Sequence, residues 1–316
     1  VIEQANVFTH GVPARMAPMI FGGSIAGHVV GASVGREGAA LQMAGSVTDT
    51  AATVARLSHD DRRTLIAASL AGGWGAVFGV PFTGIVFALQ MTRHHRWRAL
   101  APAAVSAFVG KFVVDLFGYD FGIRPRLAAP DWTFALPFKL VLVGVAAGLV
   151  GRLFVATLQL IRFRMGHHLH WPPGRTVLGG LATLALMGLF GREYMGLSAP
   201  LLDEAFLGAH SDWWVPLLKL LFTAVALGTG FVGGEVAPLF VMGGTAGAAL
   251  APGLHADPVL LATTASCAAF ASAASVALTG VVLTVEQFGW HALVPALIVG
   301  AVARVVAGRP GLYVHH

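Results

Sequence analysis

An all-α polytopic membrane protein of broken helices is the fold class this chain predicts, and three observations predict it. Of 316 residues, 56% are hydrophobic and 11% charged, with a mean hydropathy of +0.75. A soluble domain would carry about a quarter charged residues. Apolar stretches recur from end to end, several longer than the roughly 20 residues that span a bilayer as a helix, and barrel-type alternation is absent. The chain also repeats itself at nearly one offset. A soluble binding or signalling domain is thereby excluded. The net charge of +5 sits mostly in short loops, the pattern of membrane orientation rather than of nucleic-acid binding, so the bilayer is the expected partner and nucleic acid is not. Cys267 is the only cysteine, which rules out an intrachain disulfide and a cysteine metal cluster; no metal or other cofactor is implied.

The apolar runs place helices at 15–33, 38–57, 62–78, 81–92, 97–118 and 134–165, then at 174–190, 197–208, 213–229, 238–251, 257–271, 273–287 and 291–307. Several are too short to cross a bilayer. Glycine pairs at Gly22-Gly23, Gly72-Gly73 and Gly233-Gly234 are read as interruptions of helices. Irregular backbone at membrane depth is tolerated only inside protein or beside a wet cavity, so broken helices point to a transport site near the midplane. The densest basic segments are Arg93-His94-His95-Arg96-Trp97-Arg98 and the Arg162 to Arg175 region. Two long spans separate them, so both lie on one side, which the positive-inside rule makes cytoplasmic.

The repeat rests on three anchors. Thr83-Gly84 through Gln90 resembles Thr279-Gly280 through Glu286 at an offset of 196, Ala68-Ser69 meets Ala265-Ser266 at 197, and Glu37 meets Glu235 at 198. Chance similarity in apolar sequence is the alternative. The offset places partners for residues 134–197 before residue 1, so a first half longer by about 60 residues is expected, and Val1 at the start agrees. The chain divides on this reading into 1–130, the remainder of a first repeat, and 131–316, a second repeat with the start of a last helix.

Two glutamates stand in glycine-rich settings within nearly charge-free sequence: Gly35-Arg36-Glu37-Gly38 and Gly233-Gly234-Glu235-Val236-Ala237-Pro238. A carboxylate in hydrocarbon is costly and is a functional candidate by default. A helix opening at Gly38 aims free N–H groups and a positive dipole end at the preceding loop. Pro238 suits the first turn of another helix behind Glu235. Such ends attract an anion, or a carboxylate in its place. Desolvation disfavours the charged form of a carboxyl. A glutamate that fills the anion site when ionised and leaves when protonated would couple proton and anion movement. The alternatives are a helix-capping carboxylate for Glu37 and a carboxylate facing a watery vestibule for Glu235. Arg36 reads as an orienting or interfacial residue.

Gly35-Arg36-Glu37-Gly38 resembles the gating-glutamate motif of the CLC family of chloride channels and proton-coupled antiporters. Gly234 to Pro238 resembles that family's second anion-binding loop, Pro81-Phe82-Thr83-Gly84 through Gln90 its interface helix, and Gly311-Leu312-Tyr313 the start of its last helix. Three departures select a branch: Ala39 where chloride-type members carry Pro, Glu235 where they carry an apolar residue, and Leu89-Gln90-Met91-Thr92 where chloride antiporters carry an internal glutamate. Together these are similar to the fluoride/proton antiporter branch, with Ala237 departing from a common Thr.

The resemblance implies a CLC-like inverted-repeat bundle of tilted and broken helices, paired as a homodimer through the stretches near 81–92 and 273–307. It implies a multi-pass protein of a bacterial inner membrane that exports fluoride in exchange for protons. Glu37 would be the gating, proton-carrying carboxylate and Glu235 the second proton-linked one. Gly35, Arg36, Gly38, Gly234, Val236 and Ala237 would surround the anion, with Val236 and Ala237 offering backbone N–H groups and Tyr313 its hydroxyl. An interfacial belt tyrosine is the alternative for Tyr313. A chloride/proton antiporter or passive chloride channel is the second function. An enzyme is disfavoured: Tyr119-Asp120 resembles half of an intramembrane aspartyl-protease signature, but no partner Gly-x-Gly-Asp follows. A structural scaffold leaves both glutamates unexplained. His94, His95, His167, His168 and His170 read as solvated loop residues, and His28 as a packed, hydrogen-bonded one. Lys111, Asp115 and Lys139 read as paired or snorkelling side chains.

Overall fold

Proline and capping side chains set where many of the helices begin. Pro occupies the first or second position of six helices, where its missing N–H costs no hydrogen bond. Ser58 accepts from the Asp61 amide at 3.2 Å and Asp257 from the Val259 amide at 2.9 Å, each satisfying an orphan donor of the helix it precedes. A computed structural model describes residues 1–92, 96–308 and 311–313. Its helices are α1 (Ile2–Asn6), α2 (Met16–Val29), α3 (Glu37–Val54), α4 (His59–Phe78) and α5 (Pro81–Met91). They continue as α6 (Arg96–Leu116), α7 (Leu136–His168), α8 (Pro172–Phe190), α9 (Ala199–Phe206) and α10 (Val215–Thr229). The last are α11 (Val236–Leu254), α12 (Pro258–Ala274), α13 (Ala277–Phe288) and α14 (Leu293–Ala307).

The chain is all-α among the described residues, as expected, and five helical stretches are long and apolar enough to cross a membrane. The 33 residues of α7 extend about 50 Å at 1.5 Å per residue, well beyond a hydrocarbon core of about 30 Å. Arg93, His94 and His95, placed above in a basic loop, lie outside the described residues.

Two compact units are formed, one by Val1–Gly22 with Glu37–Gly122, the other by Gly23–Arg36 with Ile123–His316. In the first, Ile66, Leu70 and Trp74 of α4 are buried with Phe87 and Ala88 of α5 and Ala103 and Ala107 of α6. The Trp74 ring stacks on Phe78 at 4.7 Å between centroids. An internal ion pair ties the N-terminal segment to this core. Arg62 donates twice to the carboxylate of Asp49, at 2.8 and 3.0 Å, and the Val12 amide donates to Asp49 at 2.5 Å. Bidentate pairing of this kind, with the remaining lone pair satisfied, is how a buried carboxylate is tolerated.

In the second unit Leu140, Val143, Ala147 and Phe154 of α7 are buried with Leu239 and Met242 of α11, Leu261 and Phe270 of α12 and Val299 and Ala303 of α14. One anchor of the repeat falls at the same place in helices of the two units, while Ala68 is the tenth residue of α4 and Ala265 the eighth of α12. Thr83 and Thr279 are each the third residue of their helix, α5 and α13, and both are fully buried.

Two expected interruptions are corrected. Gly22-Gly23 lies inside α2 and Gly72-Gly73 inside α4, both continuous helices; only Gly233-Gly234 falls between helices. For Gly72-Gly73 the physical reason is packing. A Cβ at Gly72 would lie 2.3 Å from Ser106 Oγ, and one at Gly75 only 2.0 Å from the Ala107 carbonyl oxygen. These glycines let α4 and α6 approach backbone to backbone, the small-residue packing that membrane helices favour. The helix ends shift as well. α3 opens at Glu37 and α11 at Val236, ahead of Gly38 and Pro238; α12 runs to Ala274 and turns through Ser275 at φ 60°. The short α1 has no counterpart in the sequence reading.

Gly75→Val is expected to lower stability by about 1–3 kcal/mol, because the obstructing atom is a backbone oxygen that cannot rotate away. A thermal melt in detergent checks this; an unchanged midpoint contradicts the close α4–α6 contact.

Candidate functional site

α2 stops at Val29 and α10 at Thr229, and each is followed by a short non-helical segment, residues 30–36 and 230–235, ending at a glutamate motif. Non-helical backbone in so apolar a chain must find partners within the protein. The Gly35 amide donates to the Gly234 carbonyl at 2.6 Å and the Gly234 amide returns the bond to the Gly35 carbonyl at 2.7 Å. This single antiparallel bridge joins the two motifs. Val34 is fully buried, and a Cβ at Gly233 would lie 2.4 Å from Val34 Cβ. Glycine at 233 is therefore what allows the segments to pass each other.

Glu235 stands at the N-cap of α11, partly buried, with no side-chain capping hydrogen bond. The Tyr313 hydroxyl donates to Glu235 Oε1. The Leu312 amide donates to the Ala273 carbonyl at 2.9 Å, which fixes the tyrosine's segment on the end of α12. Val236 and Ala237 are the first two residues of α11, and among the described residues their amides have no backbone acceptor. Free amides at a helix start, with its positive dipole end, form an anion-attracting position.

Glu37 is the first residue of α3 in the first unit and is buried, at 7% exposure. Gly38 beside it is half-buried and Arg36 is exposed. Of the residues expected to surround an anion, Gly35 and Gly234 have their amides engaged with each other and so brace the loops. Val236 and Ala237 keep theirs available. Tyr313 engages the carboxylate of Glu235.

Sequence reasoning missed Lys219 of α10, whose side chain is fully buried and donates to Ser33 Oγ at 2.9 Å, Ser198 Oγ at 2.9 Å, and the carbonyls of Tyr194 at 3.2 Å and Gly196 at 2.7 Å. The signal was available: Lys219 is the only charged residue in Val215–Thr229. Ser33 also lies 2.9 Å from Thr223 Oγ1, so α10 holds the segment before Gly35 at two points. Elsewhere the bland readings hold. His28 Nδ1 lies 2.8 Å from the Ser24 carbonyl, Lys111 pairs with Asp115 at 2.5 Å, and Lys139 donates to the His255 carbonyl at 2.9 Å.

The chain as a whole is similar to known proteins. A family model described as "Voltage gated chloride channel" matches residues 1–308. A protein named chloride/fluoride channel protein from Pseudomonas syringae pv. tomato is 36% identical over 315 residues, covering 96% of this chain and 69% of that protein. An H(+)/Cl(-) exchange transporter ClcA from Vibrio vulnificus is 30% identical, over 94% of this chain and 68% of its own length. Among solved structures, a CLC-type fluoride/proton antiporter superposes with a TM-score of 0.94 at 28% identity, covering 99% of this chain and 80% of that one. A slow cyanobacterial Cl-/H+ antiporter shares the fold, with a TM-score of 0.81 at 21% identity over 97% and 75% of the two chains.

Gly233→Ala is expected to cost about 1–3 kcal/mol through its collision with the Cβ of Val34, and Val34→Gly, which removes that atom, to cost less in the Gly233→Ala chain than in the wild-type chain. Thermal unfolding of both single variants and the double variant in detergent checks the coupling; strictly additive losses contradict it.

Proposed function

We propose that this chain, which belongs to the voltage gated chloride channel (CLC) family, exports fluoride in exchange for protons. The observation that carries the reading is Glu235 at the N-cap of α11, held by the Tyr313 hydroxyl beside the open amides of Val236 and Ala237. An acid placed where a helix start attracts an anion can exchange protons in step with anion occupancy. Similarity to a chloride/fluoride channel protein and to a fluoride/proton antiporter supports fluoride as the ion.

In this mechanism Glu37 is the gate. Ionised, its carboxylate fills an anion position at the start of α3; protonated, it loses its attraction to the positive helix end and yields the place to an anion. Glu235 passes the proton onward, and Tyr313 orients its carboxylate. The amides of Val236 and Ala237 replace part of the water that a small, strongly hydrated anion must shed. Gly35 and Gly234 hold the two motifs together, while Gly38 and the exposed Arg36 flank the gate. Outward movement of an anion is favoured by a negative interior, and inward movement of protons adds to the drive.

Residues 1–130 and 131–316 would be inverted repeats, with Gly23–Arg36 of the first packed into the compact unit of the second. The recurrence of helices supports this: α3, α4, α5 and α6 are followed in the same order by α11, α12, α13 and α14. A homodimer in a bacterial inner membrane fits the family. Chloride/proton exchange or passive chloride conduction is the second reading, favoured by similarity to the Vibrio exchange transporter.

Purified protein in liposomes, followed with a fluoride electrode and a pH probe, tests the proposal. Wild-type protein is expected to move fluoride faster than chloride and to drive protons the other way; equal rates for both anions would sink fluoride selectivity. Glu37→Gln is expected to abolish proton movement. Glu235→Gln is expected to remove proton coupling while anion flux continues, and coupling equal to wild type would count against its role. Tyr313→Phe removes a hydrogen bond to a charged group, worth about 1.5 kcal/mol at the low end for a partly exposed pair, and is expected to slow coupled exchange about tenfold.

A further inference from the structure

Charged side chains buried among the described residues are Glu37, Asp49 and Lys219. Asp49 has its counter-ion in Arg62. Lys219, with no measurable exposure, makes no ion pair with any carboxylate among the described residues. Its four partners are two carbonyl oxygens and two hydroxyl oxygens. The Ser198 hydroxyl donates its own hydrogen to the Glu193 carbonyl at 2.5 Å, so toward Lys219 it can only accept. A ring of acceptors suits an ammonium, which offers three donors where a neutral amine offers two.

A buried, hydrogen-bonded cation with no fixed anion is costly unless it gives up its proton or a counter-charge arrives from outside, and the acceptor ring around Lys219 favours keeping the proton. Ser33, which Lys219 holds, is two residues from Gly35 of the bridge. Chain geometry therefore keeps the ammonium within on the order of 10 Å of Gly35 and its partner Gly234. At that range, in a dry interior, a unit charge is felt strongly and salt screens it little.

We propose that Lys219 is a positioning residue whose fixed positive charge, set behind the Gly35–Gly234 bridge, raises the affinity of the second unit's loop for the transported anion. The mobile anion is the counter-ion that the fold withholds. Contact between Lys219 and the anion is not required, because the charge acts through the field while its hydrogen bonds keep it in place. The inference rests on the anion-transport reading and adds to it a residue that sets anion affinity.

Calorimetric titration of purified protein in detergent with sodium fluoride, and with sodium chloride alongside, tests this directly. Lys219→Met is expected to weaken fluoride binding about tenfold. Ser198→Asp supplies a carboxylate beside the ammonium, neutralises it in place, and is expected to weaken binding to the same degree. Ser198→Ala removes the same hydrogen bond with no change of charge and is expected to bind as wild type does. Should Lys219→Met fail to fold, the two Ser198 variants decide alone. Affinity unchanged in Ser198→Asp overturns the proposal. So does equal weakening in Ser198→Ala and Ser198→Asp, which would assign the effect to hydrogen bonding rather than charge. Absence of anion binding by the wild-type protein would overturn the anion site itself, a different outcome from intact binding with no charge dependence.

Discussion

The pair of hydrogen bonds exchanged by Gly35 and Gly234 is the constraint around which the candidate site is arranged. A chain this apolar offers little water to non-helical backbone, so each peptide group that leaves a helix must be answered by another. The bridge answers four such groups at once and brings together segments nearly 200 residues apart. Its side-chain requirements follow. Position 233 has to be glycine because Val34 occupies the space a Cβ would need, and Val34 is buried because the bridge draws it inward. With those two amides engaged, the Val236 and Ala237 amides at the start of α11 are left without a backbone acceptor among the described residues.

Lys219 gives the same region a second kind of support. Hydrogen bonds to Ser33 and to the turn at residues 194–198 tie α10 to the segments on either side of it. A lysine here costs more desolvation than an apolar residue would, and a merely structural brace could be made from neutral side chains. Glu235, Tyr313 and Lys219 belong to one unit and differ in kind: an acid, its hydroxyl donor and a lysine with no carboxylate counter-ion among the described residues. Glu37, in the other unit, opens its own helix.

Most of the fold was legible from the chain. Apolar runs long enough to be helices, punctuated by Pro at helix starts, place all but the shortest helix within a few residues. The glycine pairs were the exception. Gly22-Gly23 and Gly72-Gly73 look like breaks because glycine is a poor helix former in water, yet both sit inside continuous helices; at Gly23, Gly72 and Gly73 closeness to a neighbour outweighs local propensity, while Gly22 faces open space. Glu37 and Glu235 were visible as isolated charges, and their positions at or beside helix starts followed from the glycines and Pro238 around them.

By itself the sequence determined the membrane class, the helix order and the two isolated glutamates, because each of these is written in local composition and spacing. The tertiary structure alone decided that Gly35 and Gly234 pair with each other, that Tyr313 turns its hydroxyl to Glu235, and that Lys219 is buried among neutral acceptors. Such contacts join residues between 21 and 199 positions apart. No local pattern encodes which donor meets which acceptor across that distance; only the packing of the helices that carry them does.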